Sequence, residues 1–333
     1  MGILKFAINA SYKHFYENLG KISKEQHKSR FLMLCDSAVC MVLFGSGLSD
    51  YLNYEFYKRS FKEKSRYVTI RTQDSFYKKV SPPAYKKIFT VKPNFMKAFS
   101  QYTKRKYLLP EESDEEALKA FLNENAVFMQ KPVDGLGGHS VKKVCSADIT
   151  DTHEYLNYLK DNRLFIEQYV IQHEKMSALC QRSVNTIRIM TSSVTGTPEI
   201  IFTGLRVGNG KCDVDNFHGG GMGVLINKEN GILIGEAIDK DLNHFQCHPV
   251  SGIKFDGYEI PYWNEIKQMV CEAALIEPRI MVIGWDVAVT PDGPIFIEAN
   301  RRPGFDLPQV LYDRGLKDIV KNALDGLKHG KDS

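Results

Sequence analysis

Gly284-Trp-Asp286-Val-Ala-Val-Thr-Pro-Asp-Gly-Pro-Ile-Phe-Ile-Glu298-Ala-Asn300 is a pair of apolar runs joined by Thr290-Pro291-Asp292-Gly293. That join suits a type I turn with proline second and glycine left-handed, the three-residue hairpin loop. It predicts Asp286 opposite Glu298, with Asn300 two residues on along the same face. The other face is expected to stack Val287, Val289, Ile295 and Ile297, an apolar surface that pins the register because a one-residue slip would bury the carboxylates. Two carboxylates and an amide at this separation make a hard-oxygen site suited to magnesium, which keeps waters and borrows its remaining ligands from substrate phosphates. A solvated acidic hairpin has the same spelling, so support must come from elsewhere in the chain.

A second stretch supplies it. Lys131-Pro-Val-Asp-Gly135-Leu-Gly137-Gly138-His-Ser140 lies between the alternating segment Ala126–Lys131 and a further extended run, Val141-Lys-Lys-Val144. No helix-forming run follows the glycines, which excludes a Walker loop. Three glycines in four positions let successive backbone N–H groups turn toward one anion, and Lys131 adds a full charge for phosphate. The pattern reads as a flap over a triphosphate; a plain glycine-rich hairpin is its bland alternative.

Composition sets the limits. The chain has 333 residues, 43% hydrophobic and 25% charged, which suits a globular protein with two or three substructures. A net charge of +4 is too mild to imply nucleic acid. Seven cysteines without a C-x-x-C pair read as free thiols in a reducing compartment, hence a cytoplasmic protein. The apolar run from Phe31 to Leu48 contains Asp36 and small residues, and is expected to be a buried helix, not a membrane span. Phe6 stands where myristoylation needs Ser or Thr. His244-Phe-Gln-Cys247-His248 invites a zinc reading, but no fourth ligand is spaced to match, so a surface loop without a role is expected.

Ser81-Pro82-Pro83 and the region from Glu167 to His173 divide the chain into residues 1–84, mostly helical, then 85–169 and 170–330. Tyr51–Tyr57 is dense enough in aromatics for a packed helix face. Strands are expected at Phe165–Val170, Thr186–Ser192, Glu199–Val207, Gly223–Ile226 and in the opening hairpin, mostly antiparallel; helices fit Trp263–Glu277 and Asp306–Leu327. Arg188 and Arg206 fall within apolar, β-branched runs, where a guanidinium needs an anionic partner, either substrate or an internal carboxylate.

Lysine and glycine flap, the Ile166-Glu-Gln-Tyr-Val170 hinge, Asp286 and Glu298-Ala-Asn300, in this order, resemble the ATP-grasp enzymes. Arg182-Ser-Val-Asn-Thr-Ile-Arg188-Ile-Met-Thr191, Gly204-Leu-Arg206-Val-Gly, Val214-Asp-Asn216-Phe-His-Gly-Gly-Gly221 and the hairpin resemble, more narrowly, the sugar-transfer associated ATP-grasp family. The likeness runs from about residue 45 to 325. It implies an α+β fold in which two α+β subdomains clasp ATP, beside a smaller, mostly helical N-terminal domain.

The same resemblance implies Lys131, and Lys92 as a second lysine, on the phosphates beneath Gly135, Gly137, Gly138 and Ser140. Adenine would meet the backbone of Gln168, Tyr169 and Val170 beside Glu167, with His173 toward the ribose. Asp286, Glu298 and Asn300 would hold two magnesium ions, or manganese in their place. Arg188, Arg206 and Asn216 would hold the γ-phosphate and the activated carboxyl group, with Asn185 nearby.

The implied activity is an ATP-dependent carboxylate–amine ligase acting through an acyl phosphate, in surface-polysaccharide assembly. Its partners would be small molecules, a uronic acid or amino acid and an amine, with no nucleic acid and no integral membrane segment. The alternatives are a kinase of the same fold and a non-catalytic nucleotide-binding protein.

Overall fold

A computed structural model describes residues 2–134, 141–210 and 217–329. The chain forms two compact units, Met1–Val80 with Gly304–Ser333, and Ser81–Pro303.

The second unit carries two antiparallel sheets. The first is ordered β1-β4-β2-β3, from β1 (Tyr107–Leu108), β2 (Val127–Pro132), β3 (Lys142–Cys145) and β4 (Leu164–Gln168). Helices Glu115–Glu124 and Thr152–Asp161 cover it. Asp114 and Asp151 cap them, each accepting from the backbone N–H three residues on at 2.9 Å. Leu118, Phe121, Leu156 and Leu159 then fall on the inner faces and close a core over Phe128 and Ile166.

The second sheet runs β11-β10-β5-β6-β7-β8-β9. Its strands are β5 (Thr186–Ser192), β6 (Glu199–Val207), β7 (Met222–Ile226), β8 (Leu233–Asp239), β9 (His244–Phe245), β10 (Val282–Thr290) and β11 (Gly293–Asn300). Helix Trp263–Ala273 lies in the same core as Ile187, Leu205, Val224 and Val287. Trp285 stacks on Phe296 at 4.6 Å and donates its indole N–H to Thr191 Oγ1 at 2.9 Å, which satisfies the one polar atom it buries.

The hairpin departs from expectation in one detail. Pairing closes at Thr290–Gly293, with Gly293 at φ +108°, and a bulge between Asp286 and Val287 then shifts the register so that Asp286 still faces Glu298. An unpaired residue inserted in one strand changes which face follows it. The expected stack is therefore corrected: Val287 and Val289 join the main core with Phe296, whereas Ile295 pairs with Ala288 and packs beside Val170 on the other side, with Ile297 against them.

In the first unit, Tyr51, Tyr54 and Phe56 are buried and in ring contact, spread over helix Leu48–Asn53 and a short 3₁₀ turn. The expected C-terminal helix is two, Asp306–Leu311 and Lys317–His329, because Asp313 adopts a positive φ at their junction.

The helix expected within Phe31–Leu48 forms as Arg30–Phe44, but its expected burial does not: only Met33, Ser37 and Cys40 are buried, while Phe31, Leu32, Val39, Met41, Val42 and Leu43 are exposed. Composition gave apolarity all round, and packing used one stripe of it. No described helix is long and apolar enough to cross a membrane. The six described cysteines are free.

Candidate active site

Between the two sheets of the second unit lies a narrow cavity lined by Lys92, Lys131, Phe165, Glu167, Ile297, Glu298 and Asn300, with Phe89, Phe95 and Met96 behind. It gathers residues from β2, β4 and β11, which the hairpin, the lysine strand and the hinge strand contribute separately. Alternation puts them there: Lys131 pairs with Phe165 and Met129 with Glu167, so Lys131 and Glu167 are offset by two on one face, while Asp286 directly opposes Glu298 and Asn300 follows two residues on.

Lys131 Nζ donates to Glu167 Oε1 at 2.5 Å, and Arg105 Nη2 donates to Glu167 Oε2 at 3.4 Å. Glu167 is buried, which opposes its ionisation most strongly, yet Arg105 and Lys131 together hold it below the ordinary glutamate value. Lys92 opens helix Lys92–Ala98, with Pro93 following where a first-turn N–H has no helical partner anyway. Its Nζ donates to the Pro132 carbonyl at 3.1 Å. Burial, followed by the Lys131 charge, draws its pKa down against the pull of Glu298.

Asp286 is fully enclosed and accepts three guanidinium contacts: Arg188 Nε at 2.5 Å, Arg188 Nη2 at 3.0 Å and Arg206 Nη2 at 2.8 Å. Arg206 also donates to Thr186 Oγ1 from Nε at 3.0 Å and from Nη2 at 2.8 Å. The two arginines thus share an internal carboxylate. Burial works against the charge on Asp286, but Arg188 and then Arg206 outweigh it and keep the carboxyl below its usual range. A carboxylate has about four lone-pair positions, so roughly one is left beyond the arginines, and it faces Glu298. Glu298 opens on the cavity and has the opposite shift: desolvation by the cavity walls and the Asp286 charge push it up. Asn300 Oδ1 accepts from the Arg302 N–H at 3.4 Å.

The hinge is partly occupied. The Gln168 N–H donates to the Lys106 carbonyl at 2.8 Å, Tyr169 lies 4.4 Å beneath Lys143 Nζ, and Val170 is buried against Ala288 and Ile295. His173 caps helix Glu174–Leu179, its Nδ1 accepting from the Lys175 N–H at 3.1 Å, and its ring meets Tyr262 edge-on. Asn185 serves the loop instead of the cavity: Nδ2 donates to the Met176 and Cys180 carbonyls at 2.7 and 3.0 Å and to Gln172 at 3.1 Å. Gly135, Gly137, Gly138, Ser140 and Asn216 lie outside the described residues.

Arg105 was missed from sequence. It is buried, and besides Glu167 it donates to the carbonyls of Phe296 at 2.7 Å and Ile297 at 3.3 Å, which ties the hinge strand to the bulge beside Glu298. Within Thr-Lys-Arg-Lys-Tyr it reads like a solvated cation, and no local pattern marks it.

His248 corrects another expectation. It is buried, not on a surface loop; Nε2 lies 2.7 Å from the Gly208 carbonyl, and its ring faces Cys180. No metal-binding group of three or more His, Cys, Asp or Glu occurs among the described residues. His244 pairs with Glu236 at 3.1 Å.

A four-stranded and a seven-stranded antiparallel sheet, each backed by helices and enclosing a cavity lined by lysines and carboxylates, constitute an α+β protein of the ATP-grasp fold. The chain belongs to the sugar-transfer associated ATP-grasp family, whose model matches residues 84–324.

Among solved structures it is similar to the ATP-grasp ligase PsnB complexed with minimal precursor, at 14% identity over 74% of this chain and 63% of that one, with a TM-score of 0.46. It is also similar to the D-alanine-D-alanine ligase from Coxiella burnetii, at 12% identity over 74% and 59%, TM-score 0.43, and to VanG D-Ala:D-Ser ligase from Enterococcus faecalis, at 14% over 72% and 61%, TM-score 0.42. The chain therefore spans less than two thirds of the length of each. No curated protein matches the sequence.

Proposed function

We propose that the protein is an ATP-dependent ligase joining a carboxylic acid to an amine through an acyl phosphate. The observation that carries this reading is the meeting, in one cavity, of Lys92 and Lys131 with Glu298 and Asn300, beside the Asp286 carboxylate that Arg188 and Arg206 share. Phosphoryl transfer asks little acid–base chemistry of a protein and much positioning of charge, which is what this set offers.

The donor set fits a hard divalent cation. Asp286 and Glu298 are opposed across the strands, and desolvation together with the nearby Asp286 charge raises the Glu298 pKa, both of which favour a bound cation or a proton. Glu298, Asn300 and the remaining lone pair of Asp286 would hold magnesium, which supplies charge neutralisation at the triphosphate. The base would lie on the apolar wall of Val170, Ala288, Ile295 and Ile297, on the same side of β10 and β11 as the carboxylates. Lys131 and Lys92 would hold phosphate oxygens. Arg188 and Arg206 would then exchange part of their hold on Asp286 for the γ-phosphate and the acid.

The proposed acid is a uronic acid or an amino acid and the proposed setting surface-polysaccharide assembly, both by family analogy. The test is ADP and phosphate release by the purified protein with ATP, magnesium and paired panels of acids and amines, with mass detection of the amide. Release that requires both acid and amine supports the ligase. ADP without free phosphate, with a phosphorylated alcohol as product, assigns a kinase instead.

A further inference from the structure

Helix Arg30–Phe44 has two apolar faces. Met33, Ser37 and Cys40 turn inward at a spacing of four and three residues, and the opposite stripe, Phe31, Leu32, Val39, Val42 and Leu43, stands in solvent with Phe31 71% and Val42 70% exposed. Such a continuous ridge marks a contact surface. It extends onto Phe61, whose ring meets Phe44 at 4.9 Å. The helix has one acidic residue, Asp36, and Lys64 neutralises it at 2.6 Å. Cations frame both ends: exposed Lys28 two residues before the helix, and Arg71, which donates to the Met41 carbonyl at 3.0 Å, with Lys62 beside Phe61.

Charge decides the occupant. Residues 1–80 contain 14 Lys and Arg and seven Asp and Glu, a net +7, whereas the whole chain is +4, so the remaining residues are −3. A second copy laid face to face would bring two such surplus charges together. An anionic lipid surface would instead neutralise them while taking the apolar side chains into its acyl boundary. The ridge is one helix of 15 residues, about 22 Å long.

From these features we infer that the outer face of helix Arg30–Phe44 docks the protein peripherally on an anionic membrane, independently of the reading of the active site. Full-length protein would be sedimented with phosphatidylcholine vesicles with and without phosphatidylglycerol, at low and high salt. Binding should require the anionic lipid, weaken with salt, and fall at least about tenfold in Phe31→Ser/Val42→Ser, which removes two solvent-exposed apolar groups. Should that variant lose its native melting transition, Phe31→Trp supplies a second reading, because its emission should shift to the blue on anionic vesicles.

Absence of vesicle binding, equal binding by a folded double variant, or an unshifted tryptophan would overturn the inference. So would a stable dimer in solution that the double variant dissolves, or capture of an acidic protein in place of lipid.

Discussion

Lys131 Nζ and Glu167 Oε1 are 2.5 Å apart, so the cation that opens the glycine loop is held by the strand leading into the hinge. The contact orients the ammonium. Lys131→Ala should reduce ADP formation roughly a hundredfold or more, because a charge that strengthens with the transferring phosphoryl group is lost. Glu167→Gln should weaken nucleotide binding and slow turnover together, since Lys131 then loses the anionic partner that aims it. Steady-state kinetics and calorimetric titration with a non-hydrolysable ATP analogue measure both; near-normal ADP formation by folded Lys131→Ala would remove the ligase reading.

Glu298→Ala should also cost about a hundredfold in turnover, with affinity for magnesium–nucleotide lowered more than affinity for nucleotide alone. Titrations with and without magnesium separate the two. An equal loss in both would assign Glu298 a packing role.

Acid stability should divide by sign. Glu167 and Asp286 titrate below their ordinary values of 4.5 and 3.8, so their stabilisation is complete above those values and is lost as pH falls through the lower folded ones. Glu298 titrates above 4.5; its ionisation opposes folding, and that opposition disappears as pH falls. Glu167→Gln should therefore cost about 3–5 kcal/mol near neutrality by leaving Arg105 and Lys131 with less compensation, and flatten the acid limb of the melting curve. Glu298→Gln should raise the melting temperature near neutrality, a gain that fades in acid. Thermal melts of each variant across the acid range decide it.

Gly231 sits at φ +76°, and a Cβ there would lie 2.5 Å from Trp263 Cγ. Gly231→Ala should destabilise by at least about 2 kcal/mol, left-handed strain adding to overpacking of an indole that cannot move far. Phe296→Ala, which deletes the ring stacked on Trp285, should cost about 3–5 kcal/mol. Denaturant titration gives both values.

Cys180 separates acidity from reactivity. Burial raises its pKa, but hydrogen bonds from His248 and Ser183 prevail and bring it to about 6. It is also buried, whereas Cys35, Cys145 and Cys247 are exposed. Timed alkylation near neutral pH with peptide mapping should label those three first, and label Cys180 only on unfolding, because access limits a thiolate sealed in the core.

Strands whose sequence is dense in β-branched residues were legible almost to the residue: Thr186–Ser192 and Glu199–Val207 stand as expected. Leu233–Asp239 escaped because Gly235 interrupts it and Glu236 and Asp239 leave little alternation to see. The cavity was legible where chemistry recurs at close spacing, as at Glu298 and Asn300. It was illegible where one side chain acts across a long loop: Arg105 reaches Phe296, 191 positions away, and nothing beside it in the chain signals the contact. The exposed helix shows the same limit, since apolar letters state a preference for burial without naming the surface that will grant it.

The extra residue at Ile297 settles a question of parity. From Thr290–Gly293 to Val287–Phe296 the two arms of the hairpin count off evenly. Continued two steps further, that count would set Trp285 against Glu298 and turn the glutamate toward the indole's dry side. One odd position lets a single ribbon serve both an oily interior and a charged opening. Lengthening or trimming that arm by one residue should therefore exchange the two, whereas a change of two should preserve them.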